Sequence, residues 1–222
     1  MSAPGSPPQG PEAPGEARRR RPLVATLIPL VALAGLLGWV AWNGFKTDTG
    51  SSRGPAPGSR MPPFAAPIAA SALEGDVNVA REAGEGAAGK RPACDVRGPD
   101  VLNSCDLVRG APAAIAFIGA GNARCADAFD ELSRLARGSG VRVAAVIVRG
   151  DREQARALVG RRGWRAPVAW DRDGVLANLY GVAVCPQVVY LEEGGRVEQV
   201  SIGDVPPAEV RDDLRRLSEG GR

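Results

Sequence analysis

The chain has 222 residues and a formal net charge of +3, from 28 Lys or Arg and 25 Asp or Glu. This even balance argues against nucleic-acid binding. There is no His, which excludes Ser-His-Asp and Cys-His catalysis and every metal site that needs imidazole. The remaining chemistry is that of carboxylates, thiols and arginine, and we expect neither a metal nor a cofactor. The predominance of Arg, Ala and Gly indicates a bacterial coding bias.

The N-terminal region predicts a membrane anchor. Residues 1–22 are rich in Pro and Gly and end in four consecutive arginines, which is typical of a disordered cytoplasmic tail. Residues 23–42 carry no charge and would span roughly 30 Å as a helix, the thickness of one bilayer core. With arginines before the helix and Trp39 and Trp42 at its far end, the N-terminus is expected in the cytoplasm and the rest of the chain outside it.

A cleaved secretory signal is the alternative, because it has the same order of charges. The apolar segment is not followed directly by a small-x-small cleavage site, which favours a retained single-pass anchor. Ala-rich pairs near Ala70 leave later cleavage open. A lipoprotein anchor is excluded, because no Cys lies near the segment.

The rest of the chain is predicted to divide into a linker and one domain. More than half of residues 43–90 are Ala, Gly, Pro or Ser, which predicts a disordered linker without a core of its own. Residues 91–222 are long enough to form a self-sufficient domain.

Apolar periodicity within residues 91–222 predicts an α/β domain. Continuous apolar runs at 113–118 and 141–148 are typical of buried strands, and a helical pattern at 123–137 joins them into a βαβ unit. The later expected elements, in chain order, are a helix after the N-cap Asp151, a strand at 168–170, a short helix at 175–180, a hairpin of 187–191 and 196–201, and a helix at 206–217. This order predicts a central mixed sheet flanked by helices.

Two segments resemble a known family. AIAFIGAGNARCADAFDEL resembles the strand, active-site loop and helix of thioredoxin-fold proteins, and PVAWDRDGVLANLYGVAVCPQVVYLEEGGRVEQVSIGDVPPAEV resembles their D-x-x-G turn, Y-G-V, proline, hairpin and final glycine. The chain is most similar to membrane-anchored TlpA-like redoxins, which are related to alkyl hydroperoxide reductase and the thiol peroxidases. The resemblance implies a thioredoxin-like fold in which Pro186 is cis and faces the active-site helix.

The active-site motif departs from that family. Asn122 stands at the first position of the C-x-x-C motif and Cys125 at the second, so a dithiol cycle cannot run within the motif. A peroxiredoxin motif would also use Cys125, but Ile118 and Asn122 then replace its Pro and Thr.

The four cysteines allow three pairings. The turn signal Gly98-Pro99-Asp100 favours a cross-strand structural disulfide between Cys94 and Cys105, worth about 2–4 kcal/mol. The family resemblance brings the other two, Cys125 and Cys185, together at the start of the active-site helix. There the helix N-terminus and Arg124 would stabilise a thiolate, and Asn122 would cap the helix. An inert bridge, or a buried Cys125 that only packs, is the alternative.

The leading hypothesis is a membrane-anchored, extracytoplasmic thiol-disulfide oxidoreductase. It would exchange electrons between Cys125, Cys185 and a partner protein that carries a thiol or disulfide, and Asn122, Arg124 and Pro186 would shape the site. Which cysteine attacks is left open. The alternatives are a thioredoxin-fold binding or scaffold module without catalysis and a peroxiredoxin-like peroxidase that uses Cys125.

Overall fold

A computed structural model describes residues 21–46, 53–73, 75, 78–79 and 91–220, and the chain forms two compact units, 1–49 and 50–222. The first contains one helix, α1 (Arg21–Lys46), whose apolar side chains between Leu27 and Val40 are exposed. Over the residues that the structure describes, none of the helices has the length and apolar character of a membrane span. The predicted tail lies outside the described residues, except that its last two residues begin α1.

The second unit contains an ordered series of strands and helices. Its labelled elements are β1 (Phe64–Pro67), β2 (Asn78–Val79), β3 (Val101–Asn103), α2 (Ser104–Leu107), β4 (Ala113–Gly119), α3 (Ala123–Leu135), β5 (Arg142–Arg149), α4 (Arg152–Arg162), β6 (Val168–Trp170), α5 (Val175–Leu179), β7 (Gln187–Leu191), β8 (Val197–Ile202) and α6 (Pro207–Gly220). From β4 onward every element predicted from the sequence is confirmed, with ends that differ by at most three residues.

The central sheet has the strand order β6-β5-β4-β7-β8. The strands β4, β5 and β6 are parallel, whereas β7 runs antiparallel to both β4 and β8. All seven residues of β4 are buried, which explains why its sequence is a continuous apolar run rather than an alternating one. The mixed α/β prediction is therefore confirmed.

Helices and loops cover both faces of this sheet. One face packs against α3, α4 and α6 through residues such as Phe129, Leu158 and Leu214. The other face packs against α2, α5 and the N-terminal segment of the unit, with Phe117 and Tyr180 at its centre. The ends of α4 follow from its sequence, because the Asp151 carboxylate accepts the N–H of Gln154 at 2.8 Å and Gly163 ends the helix with a left-handed φ of 62°.

The prediction that residues 43–90 contribute no core is wrong for part of that segment. Phe64 is fully buried, and β1 pairs with β3 in a second, three-stranded sheet. The N–H of Met61 also donates to the carbonyl of Gly195 at 2.9 Å. The composition was misleading because alanine side chains are small enough to pack in this close strand pairing, and Phe64 supplies the apolar area. Residues 80–90 lie outside the described part of the chain.

The cross-strand hairpin predicted between Cys94 and Cys105 is also wrong. Cys94 lies in a short 3-10 helix, Ala93–Asp95, and Cys105 lies in α2. The intervening strand β3 pairs with β1 instead. Asn103 holds the loop closed, since its amide nitrogen donates to the carbonyl of Ala93 at 2.9 Å and its oxygen accepts the N–H of Cys105 at 2.9 Å.

Candidate functional site

A disulfide joins Cys125 to Cys185 across 60 positions of sequence, with their Cα atoms 5.7 Å apart. Cys125 is the third residue of α3, and Cys185 lies two residues before β7. The bridge therefore connects the helix that follows β4 to the strand that pairs with β4. The structure has both cysteine pairings that the sequence favoured.

The loop between β4 and α3 is held by its own backbone and by its neighbour. The N–H of Ala120 donates to the carbonyl of Arg149 at 2.9 Å, where β5 ends. Asn122 is the N-cap of α3, and its side-chain oxygen accepts the N–H of Arg124 at 3.1 Å. Asn122 therefore has the capping role expected from the sequence, and this cap fixes where the first turn with Cys125 begins.

The segment around Pro186 forms the other side of the site. The peptide bond between Cys185 and Pro186 is cis, as the family resemblance implied. The N–H of Gly203, after β8, donates to the carbonyl of Pro186 at 2.7 Å. The next residue, Gln187, is fully buried and donates from its amide nitrogen to the carbonyl of Tyr180 at 2.9 Å. These hydrogen bonds hold Pro186 and Gln187, the two residues that follow Cys185, and thereby fix the position of Cys185.

The two cysteines differ in their access to solvent. Cys125 is fully buried in the core under the sheet, whereas Cys185 is partly exposed. Cys185 lines a cleft of about 580 Å³, and Cys125 does not. The cleft is bordered by Gly119, Gly121, Asn122, Val148, Arg149, Gly174, Ala177, Asn178, Val182, Ala183, Val184 and Cys185.

Arg124 does not have the position that the sequence suggested. Its side chain is 83% exposed, and a guanidinium nitrogen lies 4.0 Å from the carboxylate of Asp204. It lines a separate groove, of about 240 Å³, that Pro186 and Tyr190 also border. Among the described residues that border the cleft beside Cys185, the charged side chain is that of Arg149, which was not among the predicted site residues. The parallel pairing of β4 with β5 shifts in register by one residue after Ile118, and this shift places Arg149 opposite Gly119 without any local motif that marks it.

Several buried groups near these elements have shifted pKa values. Burial raises the pKa of Asp171 above its ordinary value, although its carboxylate accepts the N–H of Ala177 at 2.9 Å. Burial likewise raises the pKa of Asp213 and raises the pKa of Tyr190 to about 12. None of the three borders the cleft beside Cys185. The carboxylate of Asp171 instead accepts an N–H in the first turn of α5, that of Ala177, which is consistent with a structural role.

The second disulfide lies elsewhere. Cys94 and Cys105 have Cα atoms 5.5 Å apart, and both are partly exposed. They border a pocket of about 650 Å³ together with Gly195, which follows β7 at the end away from Pro186. Within the described residues no cluster of three or more Cys, Asp or Glu is suited to a metal ion.

Comparison with protein-family models finds no match, and comparison with curated proteins finds none either. Solved structures are similar in fold. A candidate thiol:disulfide interchange protein DsbE from Chlorobium tepidum superposes with a TM-score of 0.56 at 17% identity, over 73% of this chain and 98% of that one.

Two further solved structures are similar to the same extent. A thiol:disulfide interchange protein of the thioredoxin family, also from Chlorobium tepidum, superposes with a TM-score of 0.53 at 12% identity, over 74% of this chain and 99% of that one. A hypothetical protein from Sinorhizobium meliloti superposes with a TM-score of 0.56 at 16% identity, over 75% of this chain and 86% of that one. The domain therefore has the thioredoxin fold.

Proposed function

We propose that the protein is a thiol-disulfide oxidoreductase in which Cys125 and Cys185 alternate between a disulfide and two thiols. The observation that carries the proposal is the position of their bridge, between the first turn of α3 and the residue before Pro186, with one of its cysteines open to a cleft. The Cys94–Cys105 bridge also borders a pocket but lies neither at the start of α3 nor beside a cis proline, so the position of the Cys125–Cys185 bridge distinguishes the two.

The proposed reaction balances with one partner dithiol. A partner thiolate attacks one sulfur of the bridge, a mixed disulfide forms, and the other sulfur leaves as a thiolate that takes a proton. The second partner thiol then attacks the mixed disulfide, so the partner leaves as a disulfide and the domain as a dithiol. Two electrons pass from the partner to the domain, and the reverse steps return them to a partner disulfide.

The two alternatives fit the geometry less well. A peroxidase would need a Cys125 thiolate that peroxide can reach, but Cys125 is fully buried and bonded to Cys185. A scaffold without catalysis would explain the fold and would leave the cleft at Cys185 without a use. A redox titration must therefore distinguish a scaffold without catalysis from an oxidoreductase.

A redox titration of the full chain tests the proposed function. The protein is equilibrated in dithiothreitol buffers of known potential, free thiols are alkylated, and each cysteine peptide is quantified by mass spectrometry. We expect half-reduction of the Cys125–Cys185 pair at a potential higher than about −300 mV, the range of exchangeable disulfides. The Cys94–Cys105 pair in the same sample is the internal control, and it should stay oxidised at that potential. If both pairs resist reduction equally, the scaffold function replaces this one.

We also propose that the domain is tethered to a membrane and lies outside the cytoplasm. This proposal is supported by the absence of charge over residues 23–42, by the arginine run before them and by the helical backbone of α1. Carbonate extraction of membranes from cells that make the full chain should leave the protein in the pellet. A C-terminal alkaline phosphatase fusion should be active. Release into the supernatant would contradict the anchor, and an inactive fusion would contradict the orientation.

A further inference from the structure

The two cysteines of the bridge are not equivalent, and the cleft carries a charge. We propose, on the basis of the proposed function, that Cys185 is the sulfur that exchanges with the partner and that Cys125 is the buried resolving sulfur. We further propose that Arg149 selects a partner segment with an acidic side chain next to its cysteine. The resolving sulfur then lies on α3, at the second position of the motif, and the exchanging sulfur lies before Pro186 instead of at the first position, where Asn122 stands.

Access supports the assignment of Cys185. An attacking thiolate must reach the sulfur with which it bonds, so burial decides which end of the bridge is attacked. Cys125 is fully buried, whereas Cys185 is partly exposed and lines the cleft. Gly119 lies beside the sulfur of Cys185, since a Cβ at that position would be in ordinary contact with it, at 3.9 Å.

The leaving group supports the same order. When the partner bonds to Cys185, the electrons of the broken bond pass to the sulfur of Cys125. Cys125 lies in the first turn of α3, where unpaired backbone N–H groups and the helix dipole stabilise a thiolate. Cys185 lies in the loop between α5 and β7 and therefore does not belong to the first turn of a helix. Attack at Cys185 therefore releases the better-stabilised thiolate, and the partner's second thiol then attacks the partner sulfur of the mixed disulfide, so that the partner leaves as a disulfide. In the reverse direction the Cys125 thiolate attacks the sulfur of Cys185 in the mixed disulfide and frees the reduced partner.

The charge of the cleft indicates the class of partner. Arg149 is exposed and is the charged residue among the described residues that line the cleft, and no Asp or Glu is among them. Its Cβ and the sulfur of Cys185 lie 3.8 and 3.9 Å from the same point, the position that a Cβ would take at Gly119. A carboxylate one or two residues from the partner cysteine can therefore reach the guanidinium while the sulfur reaches Cys185.

The rim of the cleft adds an apolar contact. The side chain of Val184 is 51% exposed and borders the same cleft. An exposed Val next to the exchanging residue can pack against the backbone or an apolar side chain of an extended partner segment. The cleft thus fits a short peptide with a cysteine flanked by one acidic residue, rather than a small uncharged thiol.

The assignment of the sulfur is tested with single-cysteine variants of the full chain, Cys125→Ser and Cys185→Ser, in which Cys94 and Cys105 are retained. Each variant reacts with short peptides whose cysteine is activated as a disulfide with uncharged 2-thiopyridine, and release of the thione is followed by absorbance. Cys125→Ser should react at least roughly tenfold faster than Cys185→Ser, because only the exposed thiol is reached. Limited alkylation of the reduced wild type should label Cys185 first, which gives the same answer without a substitution.

The outcomes separate the two proposals. Faster reaction at Cys125 in both measurements would overturn the assignment of Cys185 and leave the proposed function standing. If neither cysteine reacts faster than a free thiol in an unfolded peptide, the proposed function itself fails.

The role of Arg149 is tested with matched peptides that differ only in having Glu or Lys beside the cysteine. Cys125→Ser should prefer the Glu peptide by about threefold or more, the scale of one exposed ion pair and one exposed repulsion. Adding Arg149→Gln to this variant should bring the ratio of the reaction rates with the Glu and Lys peptides toward one. Adding Arg149→Lys instead should retain part of the preference for the Glu peptide. Arg165→Gln removes the same charge from an exposed position that does not border the cleft, and it should keep the preference. An equal ratio in all variants would overturn the role of Arg149.

Discussion

Phe64 meets Tyr180 edge to face, with ring centroids 5.8 Å apart and ring planes at 85°. Phe117 of β4 adds a third ring, 4.8 Å from that of Tyr180. The hydroxyl of Tyr180 donates to the carbonyl of Pro62 at 2.7 Å, so the aromatic cluster also holds the backbone just before Phe64. This cluster joins the segment before residue 90 to the rest of the domain.

Phe64→Ala should therefore destabilise the domain strongly. The ring is fully buried and packs edge to face against Tyr180, and removing such a ring from a core costs about 3–5 kcal/mol of the free energy of unfolding. Urea denaturation of the full chain, followed by tryptophan fluorescence, measures the loss. Leu73→Ala is the matched control, because Leu73 belongs to the same segment but is 38% exposed, and it should cost less than about 0.5 kcal/mol. Equal effects of the two substitutions would contradict the place of this segment in the core.

Removal of the Cys94–Cys105 bridge should lower stability without changing the exchange reaction. The bridge closes a loop across 11 positions, so the Cys94→Ser, Cys105→Ser double variant should lose about 2–4 kcal/mol. The reduction potential of the Cys125–Cys185 pair, measured in the same variant, should stay at its wild-type value. A shift of that potential would mean that the two bridges are coupled.

Asp171→Asn should flatten the dependence of stability on pH. The carboxylate is 2% exposed, and burial raises its pKa above the ordinary 3.8, so the folded state favours the protonated form. Its contribution to stability is thus fully present below pH 3.8 and is lost as the pH rises through the raised pKa. The variant, which is neutral at every pH, should gain stability relative to wild type from about pH 4 to pH 7. Denaturation curves across that interval with parallel pH slopes for both proteins would refute this account.

Asn122 should matter as a helix cap and not as a chemical group. Asn122→Ala removes the acceptor of the Arg124 N–H and should cost about 0.5–2 kcal/mol of the free energy of unfolding. Asn122→Ser retains a capping oxygen and should recover most of this loss. Chemical denaturation of the two variants distinguishes them, and equal stability would show that the cap contributes nothing here.

Much of the architecture was predictable from local sequence. The run from Ala113 to Ile118 is too apolar for a half-exposed strand, and Asp151 and Gly163 bracket a helix by their own conformational preferences. The pairing of Cys125 with Cys185 required one non-local inference, supplied by the resemblance around Pro186. The catalytic use of that pair stays a proposal.

The predictions that were wrong or incomplete have one cause in common, which is that they depend on contacts between residues far apart in the sequence. Phe64 lies among small residues, and its burial depends on Tyr180, which is far away in the sequence. The turn at Pro99 gives no sign that β3 will pair with β1 rather than fold back on Cys94. Arg149 ends a strand without any motif, and only the register with Gly119 brings it beside Cys185.

The span of sequence between Cys125 and Cys185 links chemistry to mechanical integrity. The bridge encloses 60 positions that include β5, α4, β6 and α5, so it ties the first helix after β4 to the terminal hairpin. Closing a loop of that length restricts the unfolded chain by about 4 kcal/mol. Each catalytic cycle would then alternate the domain between a cross-linked form of higher stability and a reduced form of lower stability. By thermodynamic linkage, whatever tightens the folded domain around α3 and β7 also makes the bridge harder to reduce.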